Sequence, residues 1–302
     1  MRWHSLSHAR RMALIEEGLD PDYVEEVLRR TVEEDLDGGD DVTSLATIAH
    51  DHRVTSRLRS REEGVLAGLD VALGAFEIVC GADQLGVSIA QHDGASLSPG
   101  QLIATIEGPT QQLLTAERTA LNLLCHLSGV ATLTARWVAA MSGTGVGVRD
   151  TRKTTPGLRA LEKYAVRCGG GHNHRFSLRD AALIKDNHVA GAGSITDAIN
   201  LVRLHFPETV VEVEVDSYEQ LRAALAAGAD LILLDNMSPE QLREAVEIAR
   251  AHEVVTGRDT VLEASGGLGL ASARDVAETG VHFVAVGALT HSAPSLDLGL
   301  DF

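Results

Sequence analysis

The sequence predicts an α/β protein in which a small N-terminal domain precedes a larger domain built on a parallel sheet. After Gly143, apolar strand segments alternate with amphipathic helix segments, a pattern typical of parallel strands joined by right-handed helical crossovers. Before Gly143, short strand candidates and helices are mixed without that alternation, which indicates a small α+β domain. At 302 residues the chain is long enough for two domains with a core each.

The N-terminal elements are predicted from their local patterns. An amphipathic helix is expected over residues 21–34, because the segment starts with proline and its apolar side chains recur at helical spacing. A turn-rich segment follows over 35–41, and alternating side chains predict a strand over 53–61. A second helix is expected over 71–79, and further short strands over 65–67, 87–90 and 102–106.

From Thr115 the pattern predicts one long helix that bridges to the second domain, with Leu121, Leu124 and Leu127 on one face. The strand candidates of the second domain are 146–148, 182–184, 210–215, 231–234, 261–263 and 283–286. The helix candidates between them include 158–168, 195–204, 218–226, 239–249 and 272–278. These six strands, with a further one conceivable near Ser128, favour a closed or nearly closed barrel. A doubly wound open sheet is the alternative, although no GxGxxG fingerprint follows the first strand.

Composition narrows the class of protein. A formal charge of −17 opposes binding to nucleic acid or to an anionic membrane, and aromatic residues at 3% make base-stacking surfaces improbable. The three cysteines lack CxxC spacing, so free thiols in a reducing cytoplasm are expected. No apolar stretch follows the basic N-terminal segment, and no apolar run approaches the roughly 20 residues of a membrane span. We therefore expect a cytoplasmic protein whose partners are small molecules.

Positive charge is concentrated between Arg149 and Lys185. All three lysines of the chain lie there with six arginines, against three acidic residues, so the segment carries a net charge of +6 in an acidic protein. Arginine offers a rigid fork for carboxylate or phosphate, whereas lysine offers a compact, movable charge. An anionic ligand is expected to bind this segment; the alternative is that few lysines remain in the chain and these cluster by chance.

Polar residues and glycines follow the predicted barrel strands, where barrel enzymes place their catalytic groups. The strand ends carry Arg149 to Lys153, Lys185 to His188, Glu214 and Asp216, Asp235 and Asn236, Ser265 to Gly267, and Gly287 with Ala288. A purely structural barrel would not need an acid or base at nearly every strand. The pattern therefore favours an active site at this edge.

Three carboxylates, Glu212, Glu214 and Asp216, alternate with valines and share one face of a strand. Carboxylates inside a barrel are costly unless they are paired or bind a cation. Glu214 and Asp235 could bind Mg²⁺ or accept hydrogen bonds from ribose hydroxyls. Salt bridges to Lys153 and to Lys185 are the alternative.

The glycine-rich segment 169–175 offers close backbone approach and two oriented donors, His174 and Arg175, for an anion. Zinc binding by His172 or His174 is disfavoured, because no cysteine or further histidine lies at ligand spacing. Glycines after the last two strands indicate a phosphate site built from backbone N–H groups.

The chain resembles the quinolinate phosphoribosyltransferase family in motifs that follow in order along nearly its whole length. They are ERTALN from Glu117, LSGVAT from Leu127, DTRKTTPGLR from Asp150, KYAVRCGGGHNHR from Lys163, LIKDNH from Leu183, EVEV from Glu212, LLDN from Leu233 and ASGG from Ala264. The resemblance implies an N-terminal α/β sandwich domain over 1–127 and an open seven-stranded α/β barrel over 128–288. This is the TIM-like, type II phosphoribosyltransferase architecture, in which the tail 289–302 returns to the first domain. It also implies a homodimer with shared active sites. A higher oligomer is an alternative that the sequence does not decide.

The resemblance assigns the acid-binding residues. Arg118, on the long helix, resembles the arginine that one subunit lends across the dimer interface to a carboxylate of quinolinate. Arg152, His174 and Arg175 resemble the group that binds the same dicarboxylate, and Thr151 lies beside them.

The resemblance also assigns the residues that address 5-phosphoribosyl 1-diphosphate. Lys153 and Lys185 resemble the lysines between the acid and the pyrophosphate. Glu214 and Asp235 resemble the acids that address ribose hydroxyls and Mg²⁺, the cofactor implied, and these two acids and two lysines are the expected catalytic residues. The 5′-phosphate cradle is expected at Ser265, Gly266, Gly267, Gly287 and Ala288, with His291 on the pyrophosphate side.

The implied reaction transfers phosphoribosyl to the quinolinate nitrogen and removes the 2-carboxylate, giving nicotinate mononucleotide for NAD biosynthesis. A same-fold paralogue associated with molybdenum transport and a non-catalytic protein that binds a dicarboxylate or nucleotide are the alternatives. The chain departs from many relatives at Cys125-His126, where they carry Gln-Arg, and at His172 of the glycine loop. Neither departure is expected to abolish activity.

Overall fold

The computed structural model describes residues 3–302, so Met1 and Arg2 of the basic N-terminal segment lie outside the described part of the chain. The helices are α1 His8–Glu16, α2 Pro21–Leu36, α3 Val42–Thr47, α4 Leu69–Cys80, α5 Thr110–Ala140, α6 Arg159–Cys168, α7 Asp186–Ala192, α8 Ile195–His205, α9 Tyr218–Ala227, α10 Pro239–Thr256, α11 Ala273–Ala277 and α12 Ala288–His291. The strands are β1 Arg53–Ser60, β2 Gly64–Val65, β3 Gly86–Ile89, β4 Ser96–Leu97, β5 Leu102–Pro109, β6 Gly147–Arg149, β7 Ala182–Ile184, β8 Val211–Val215, β9 Leu231–Asp235, β10 Val261–Ser265, β11 Phe283–Ala285 and β12 Leu298–Asp301.

The described chain divides into two compact units. The first unit comprises the chain up to Ala135 together with Thr155–Gly170 and Ser292–Phe302. The second unit comprises Arg136–Thr154 and Gly171–His291. α6 thus packs with the first unit, although its sequence follows the first strand of the second.

An antiparallel sheet with the order β12-β1-β5-β3 forms the frame of the first unit. The C-terminal strand β12 pairs with β1 from Arg57 opposite Asp301 to Ser60 opposite Leu298. α2 begins as predicted at a proline, with the Asp20 carboxylate accepting a hydrogen bond from the backbone N–H of Asp22. Every residue of α4 except Asp70 is buried, which explains why this helix is apolar on all sides.

The long helix α5 has 31 residues and begins at Thr110, earlier than its pattern predicted. Its most apolar 18-residue window has a mean hydropathy of 1.2, so by length and composition α5 could cross a membrane. The helix contains no uninterrupted apolar run of about 20 residues, because Glu117, Arg118, Asn122 and His126 lie within it. In addition, 56% of the most apolar window is buried inside the protein.

A parallel sheet with the order β6-β11-β10-β9-β8-β7 forms the core of the second unit, and α8, α9 and α10 connect its successive strands. The predicted α/β fold with a barrel-like parallel sheet is confirmed. The sheet has six strands in the described chain rather than seven, because Ser128, near the conjectured extra strand, lies inside α5. Instead, a single parallel bridge between His172 and Arg149 extends the β6 edge of the sheet.

Candidate active site

A cavity of about 500 Å³ lies at the carboxyl ends of the parallel strands of the second unit. It is lined by eleven residues that the sequence predicts as site residues: Thr151, Arg152, Lys153, His174, Arg175, Lys185, Glu214, Asp235, Ser265, Gly266 and Gly267. Because the ends of parallel strands meet at one edge, residues far apart in sequence converge there. The cavity therefore lies where the predicted ends of the barrel strands converge.

Two acids and a lysine meet where β7, β8 and β9 end. The Lys185 ammonium forms an ion pair with the Glu214 carboxylate. Burial, and next the neighbouring Glu214, raise the pKa of Asp235, and the positive charges of Lys185 and Lys153 oppose that shift. Asn236 donates from its side-chain amide to the Asp235 carboxylate at 2.6 Å. The mouth of the cavity is thus a compact charged group with both signs, and the salt-bridge alternative holds for Lys185.

The residues one side-chain layer deeper form the floor of the cavity. Side chains alternate along a strand, so residues two positions before a strand end point to the same face. Leu183, Leu233 and Ala285 supply an apolar floor, and Glu263 joins them as a fully buried acid. A flat apolar ring would fit such a floor better than an extended charged group.

Arg152 and Arg175 place guanidinium groups at the cavity wall. The Nε atoms of both are buried without a hydrogen-bond partner, which is costly unless an acceptor satisfies them. Burial, and next the positive charge of Arg152, lower the pKa of Arg175. Two cations held together in this way favour an anion between them. The pair therefore fits a carboxylate.

The glycine-rich loop is organised by a fully buried carboxylate, Asp150. Asp150 accepts from the Asn173 amide at 2.6 Å and from the His174 backbone N–H at 2.8 Å. The backbone N–H of Arg175 donates to His174 Nδ1 at 2.8 Å, which leaves the ring proton on Nε2. Nε2 lies 2.8 Å from the Glu212 carboxylate, so His174 is fixed at both nitrogens.

At the other end of the cavity, glycine is required by sterics. Gly266 has φ +94°, and a Cβ there would lie 2.3 Å from Asn236 Oδ1 and 2.7 Å from the Asn236 backbone nitrogen. A Cβ on Gly287 would lie 3.0 Å from Lys153 Cδ and 3.2 Å from His291 Nε2. The backbone after β10 therefore packs closely against Asn236, and the backbone after β11 lies close to Lys153 and His291.

Four predicted residues do not line the cavity in the described chain: Arg118, Gly287, Ala288 and His291. Gly287 and His291 are close to Lys153, as the distances above indicate. Arg118 is an exposed residue of α5 in the first unit. Five lining residues are not among the predicted site residues: Leu183, Leu233, Asn236, Glu263 and Ala285. The period-two alternation back from each strand end could have identified all of these except Asn236, which directly follows a strand end.

The cationic segment does not act as one unit. Four of its nine cations line the cavity: Arg152, Lys153, Arg175 and Lys185. Arg149 instead pairs with the buried Glu263 at 2.9 Å, and Lys163 is fully buried in α6 of the first unit. Of the nine cations that were expected to bind an anion, only these four line the cavity.

The unusual His126 lies in the first unit beside a fully buried acid. Its Nε2 is 2.8 Å from Glu162 Oε1, and the other oxygen of Glu162 accepts from the Thr155 backbone N–H at 3.0 Å. The other unusual residue, His172, is exposed and its ring meets Phe283 edge-on with centroids 5.8 Å apart. Both histidines that depart from the family pattern therefore contact a neighbouring side chain: His126 contacts Glu162, and His172 contacts Phe283.

Two groups of side chains could hold a metal ion. Ligand atoms of His174, Glu212 and Glu263 lie within 4.8 Å of one another. A metal there would have to displace the Nε2 proton that His174 shares with Glu212. Glu214 and Asp235 offer only carboxylate oxygens, the ligands that Mg²⁺ prefers, and burial and next the charge of Glu214 raise the pKa of Asp235.

Known proteins resemble the chain over nearly its whole length. Residues 41–128 match the family described as "Quinolinate phosphoribosyl transferase, N-terminal domain", and residues 130–301 match "Quinolinate phosphoribosyl transferase, C-terminal domain". The Mycobacterium leprae "Nicotinate-nucleotide pyrophosphorylase [carboxylating]" is 51% identical over 280 residues, which cover 93% of this chain and 97% of the relative. The Bacillus subtilis protein "Probable nicotinate-nucleotide pyrophosphorylase [carboxylating]" is 41% identical over 269 residues, 89% of each chain.

Solved structures agree with the sequence matches. The nicotinate-nucleotide pyrophosphorylase of Francisella tularensis superposes with a TM-score of 0.86 at 38% identity, covering 93% of this chain and 96% of that one. NadC of Streptococcus pyogenes superposes with a TM-score of 0.87 at 39% identity, covering 94% and 97%.

Proposed function

The chain belongs to the quinolinate phosphoribosyltransferase family, and on that premise we propose how the cavity of its second unit performs the family's reaction. The enzyme transfers phosphoribosyl from 5-phosphoribosyl 1-diphosphate to quinolinate with loss of carbon dioxide. The products are nicotinate mononucleotide and pyrophosphate. One observation carries the assignment of the site: four cations and three acidic residues line a single cavity whose floor is mostly apolar.

Quinolinate binds at the arginine side of the cavity. Its ring lies on the apolar floor, and Arg152 and Arg175 bind its carboxylates, with His174 and Thr151 beside them. The support is that both arginines carry buried Nε groups without an acceptor. Bidentate pairing with carboxylate would satisfy donors of this kind.

5-Phosphoribosyl 1-diphosphate binds across the strand ends. Ser265, Gly266 and Gly267 hold the 5′-phosphate with backbone N–H groups, and Gly287 and Ala288 complete that cradle. Lys153 and Lys185 lie between the acid and the pyrophosphate, and His291 lies on the pyrophosphate side. The placement is supported by Ser265, Gly266 and Gly267 lining the cavity and by Gly287 lying close to Lys153 and His291.

Glu214 and Asp235 accept hydrogen bonds from the ribose hydroxyls. They would also hold Mg²⁺, in part indirectly through the bound substrate. Two carboxylates side by side, one with a raised pKa, fit a hard cation. When bound, Mg²⁺ would supply countercharge for the pyrophosphate. Lys185, which pairs with Glu214, can turn its ammonium group to the incoming anion because lysine is long and flexible.

The protein residues stabilise charge rather than form covalent bonds. As the bond from ribose C1 to pyrophosphate breaks, positive charge develops on the ribose and is stabilised by Glu214 and Asp235. Lys153 and Lys185 stabilise the leaving pyrophosphate. The quinolinate nitrogen then forms the bond to C1, and the resulting positive ring releases its 2-carboxylate as carbon dioxide.

We also propose that the protein is a cytoplasmic homodimer in which Arg118 reaches the site of the other subunit. Arg118 is exposed on α5, as a residue lent to another chain must be. Three free cysteines support a reducing compartment. No nucleic acid or membrane partner is proposed, because the chain carries a charge of −17.

The assay that tests the activity measures pyrophosphate and nicotinate mononucleotide in the presence of both substrates and Mg²⁺. Pyrophosphate should appear only when quinolinate and 5-phosphoribosyl 1-diphosphate are both present. Omitting quinolinate, or replacing it with nicotinate, should remove the signal because the 2-carboxylate contacts are lost. Pyrophosphate release that ignores quinolinate would overturn the assignment.

A further inference from the structure

Thr290 is a buried threonine on α12, the short helix that follows β11. It is 1% exposed and does not line the cavity, and the proposed reaction gives it no role. Its hydroxyl nevertheless reaches a segment that carries cavity residues. Thr290 Oγ1 donates to the backbone carbonyl oxygen of Lys153 at 2.8 Å, across 137 positions of the sequence.

The Thr290 hydroxyl has a more local acceptor but lies closer to Lys153. Its Oγ1 is 3.3 Å from the carbonyl oxygen of Gly287, three residues earlier. That carbonyl already accepts from the backbone N–H groups of Thr290 at 3.2 Å and of His291 at 3.3 Å. A hydroxyl has one proton to donate, so the shorter contact assigns this proton to the Lys153 carbonyl.

Thr279 shows how a buried threonine satisfies its hydroxyl without a distant partner. It is 5% exposed, and its Oγ1 donates to the carbonyl of Val276, three residues earlier, at 2.7 Å. Thr290 and Thr279 therefore differ in one long-range hydrogen bond. Burial of a threonine at this kind of turn does not by itself require a contact to the segment of Lys153.

The contact lies just beyond the ends of two paired strands. β6 and β11 pair up to Arg149 opposite Ala285, and the backbone N–H of Val286 donates to the Arg149 carbonyl at 2.9 Å. Both segments then leave the sheet at the edge where the cavity lies. Because the regular hydrogen bonds of a sheet end there, each further link restricts the segments more. The bond from Thr290 to Lys153 is such a link.

Lys153 is held by three contacts. Its backbone N–H donates to Thr151 Oγ1 at 3.0 Å, and its carbonyl accepts from Thr290. Its side-chain stem passes over Gly287, where an added Cβ would lie 3.0 Å from Lys153 Cδ. A lysine side chain has much rotamer freedom to lose. A fixed backbone and a fixed stem therefore narrow the region that the ammonium group explores.

We propose that Thr290 is a positioning residue for Lys153: its hydroxyl fixes the Lys153 backbone so that the ammonium group meets the leaving pyrophosphate. Thr290 contacts neither substrate and acts through the lysine alone. A cation stabilises developing charge best when it is already in place, and a displacement of about 1 Å can lower the rate strongly. This inference rests on the proposed function, in which Lys153 stabilises the pyrophosphate.

The test removes only the hydroxyl. Thr290→Val keeps the branched shape, and Thr279→Val is the matched control, because it makes the same change at a buried threonine that does not line the cavity. Thr290→Val should lower kcat for pyrophosphate release roughly tenfold, and Thr279→Val by less than about twofold. Thr290→Ser, which retains the hydroxyl, should recover most of the lost rate. Melting temperatures show that each variant is folded.

A double-mutant cycle separates positioning of the lysine from a general structural role. In a Lys153→Ala enzyme the ammonium group is absent, so adding Thr290→Val should lower kcat little further. A threonine that only stabilises the fold would lower kcat by the same factor in both backgrounds. Single turnovers at high enzyme concentration make the slow variants measurable.

An unchanged kcat in folded Thr290→Val, or the full tenfold loss again in the Lys153→Ala background, would overturn the proposal and leave the proposed function intact. Absence of pyrophosphate release in the wild-type enzyme would instead overturn the proposed function. If Thr290→Val does not fold, Thr290→Ala removes the hydroxyl without a branched side chain and takes its place in the same comparisons.

Discussion

Lys185 and Glu214 form an ion pair between the ends of two adjacent parallel strands, β7 and β8, at the mouth of the cavity. Each residue is half-buried. Lys185 directly follows β7, and Glu214 lies near the end of β8, which pairs with β7 in a fixed register. The pair therefore keeps a movable cation beside the carboxylates that face the ribose. This cation can exchange its protein partner for the pyrophosphate of the substrate.

Lys185→Ala is expected to lower kcat by roughly 100-fold or more, because a preorganised cation that stabilises a developing charge contributes on this scale. Without the lysine, Glu214 and Asp235 face each other with less countercharge, so less Mg²⁺ should be needed for half-maximal rate. Steady-state kinetics over a range of Mg²⁺ concentrations measure both effects. Unchanged kcat in a folded variant would remove Lys185 from the mechanism.

Arg152→Ala and Arg175→Ala are each expected to raise the KM for quinolinate at least tenfold, because each removes a charge-assisted contact to carboxylate. The KM for 5-phosphoribosyl 1-diphosphate should change much less. Arg179→Ala is the control, since Arg179 is an exposed arginine of the same segment that does not line the cavity. An equal increase in the KM values for both substrates would indicate that the arginines stabilise the fold and do not bind quinolinate specifically.

Gly266→Ala is expected to weaken binding of 5-phosphoribosyl 1-diphosphate, since the new Cβ would collide with Asn236 at 2.3 Å and the φ of +94° disfavours alanine. The matched control is Gly191→Ala, which has no atom within 4 Å of the added Cβ. Binding of the sugar substrate measured by calorimetry should fall only in the first variant. Weaker binding in both variants, or in neither, would contradict the assignment of Gly266 to the 5′-phosphate site.

Mixing Arg118→Ala subunits with Lys185→Ala subunits is expected to restore activity that neither variant has alone. Each hybrid dimer would contain one site with both residues intact, because Arg118 and Lys185 of one site come from different subunits. Hybrids can be isolated with two affinity tags and assayed for pyrophosphate release. Hybrids that form and remain inactive would show that the site is not shared.

A buried acid in the first unit gives a stability prediction. Burial, and next the neighbouring Asp93, raise the pKa of Glu17 to about 7 from 4.5, and its Oε2 is buried without a hydrogen-bond partner. A carboxyl group with a raised pKa in the folded state favours folding fully below pH 4.5, and this contribution is lost as pH rises to 7. Glu17→Gln should therefore raise the melting temperature at pH 8, by the equivalent of roughly 1–3 kcal/mol, and have little effect at pH 4. The same increase in melting temperature at pH 4 and pH 8 would contradict a raised pKa of Glu17 in the folded protein.

The sequence predicted the second unit well because its strands are short apolar runs that end in polar residues. The ends at Lys185, Glu214, Asp235 and Ser265 follow directly from that pattern and lie together in the structure. The extra strand near Ser128 was wrong, since an apolar run of small residues fits a buried helix as well as a strand. Periodicity alone does not separate these two states.

The floor of the cavity was harder to predict because its residues look like ordinary core. Leu183 and Leu233 are apolar strand residues, and only the three-dimensional position of the cavity gives them a role. Glu263 could have been noticed as an acid inside an apolar strand, as Glu212 was. Its neighbours Arg149 and His174 come from distant parts of the sequence, so their contacts required the fold.

The most direct test of the account is a crystal structure of the enzyme with pyridine-2,3-dicarboxylate at saturating concentration. The account predicts that the ring lies on the floor formed by Leu183, Leu233 and Ala285, with its carboxylates bound by Arg152 and Arg175. Quinolinate bound outside this cavity, or absent from it at saturation, would contradict the central claim.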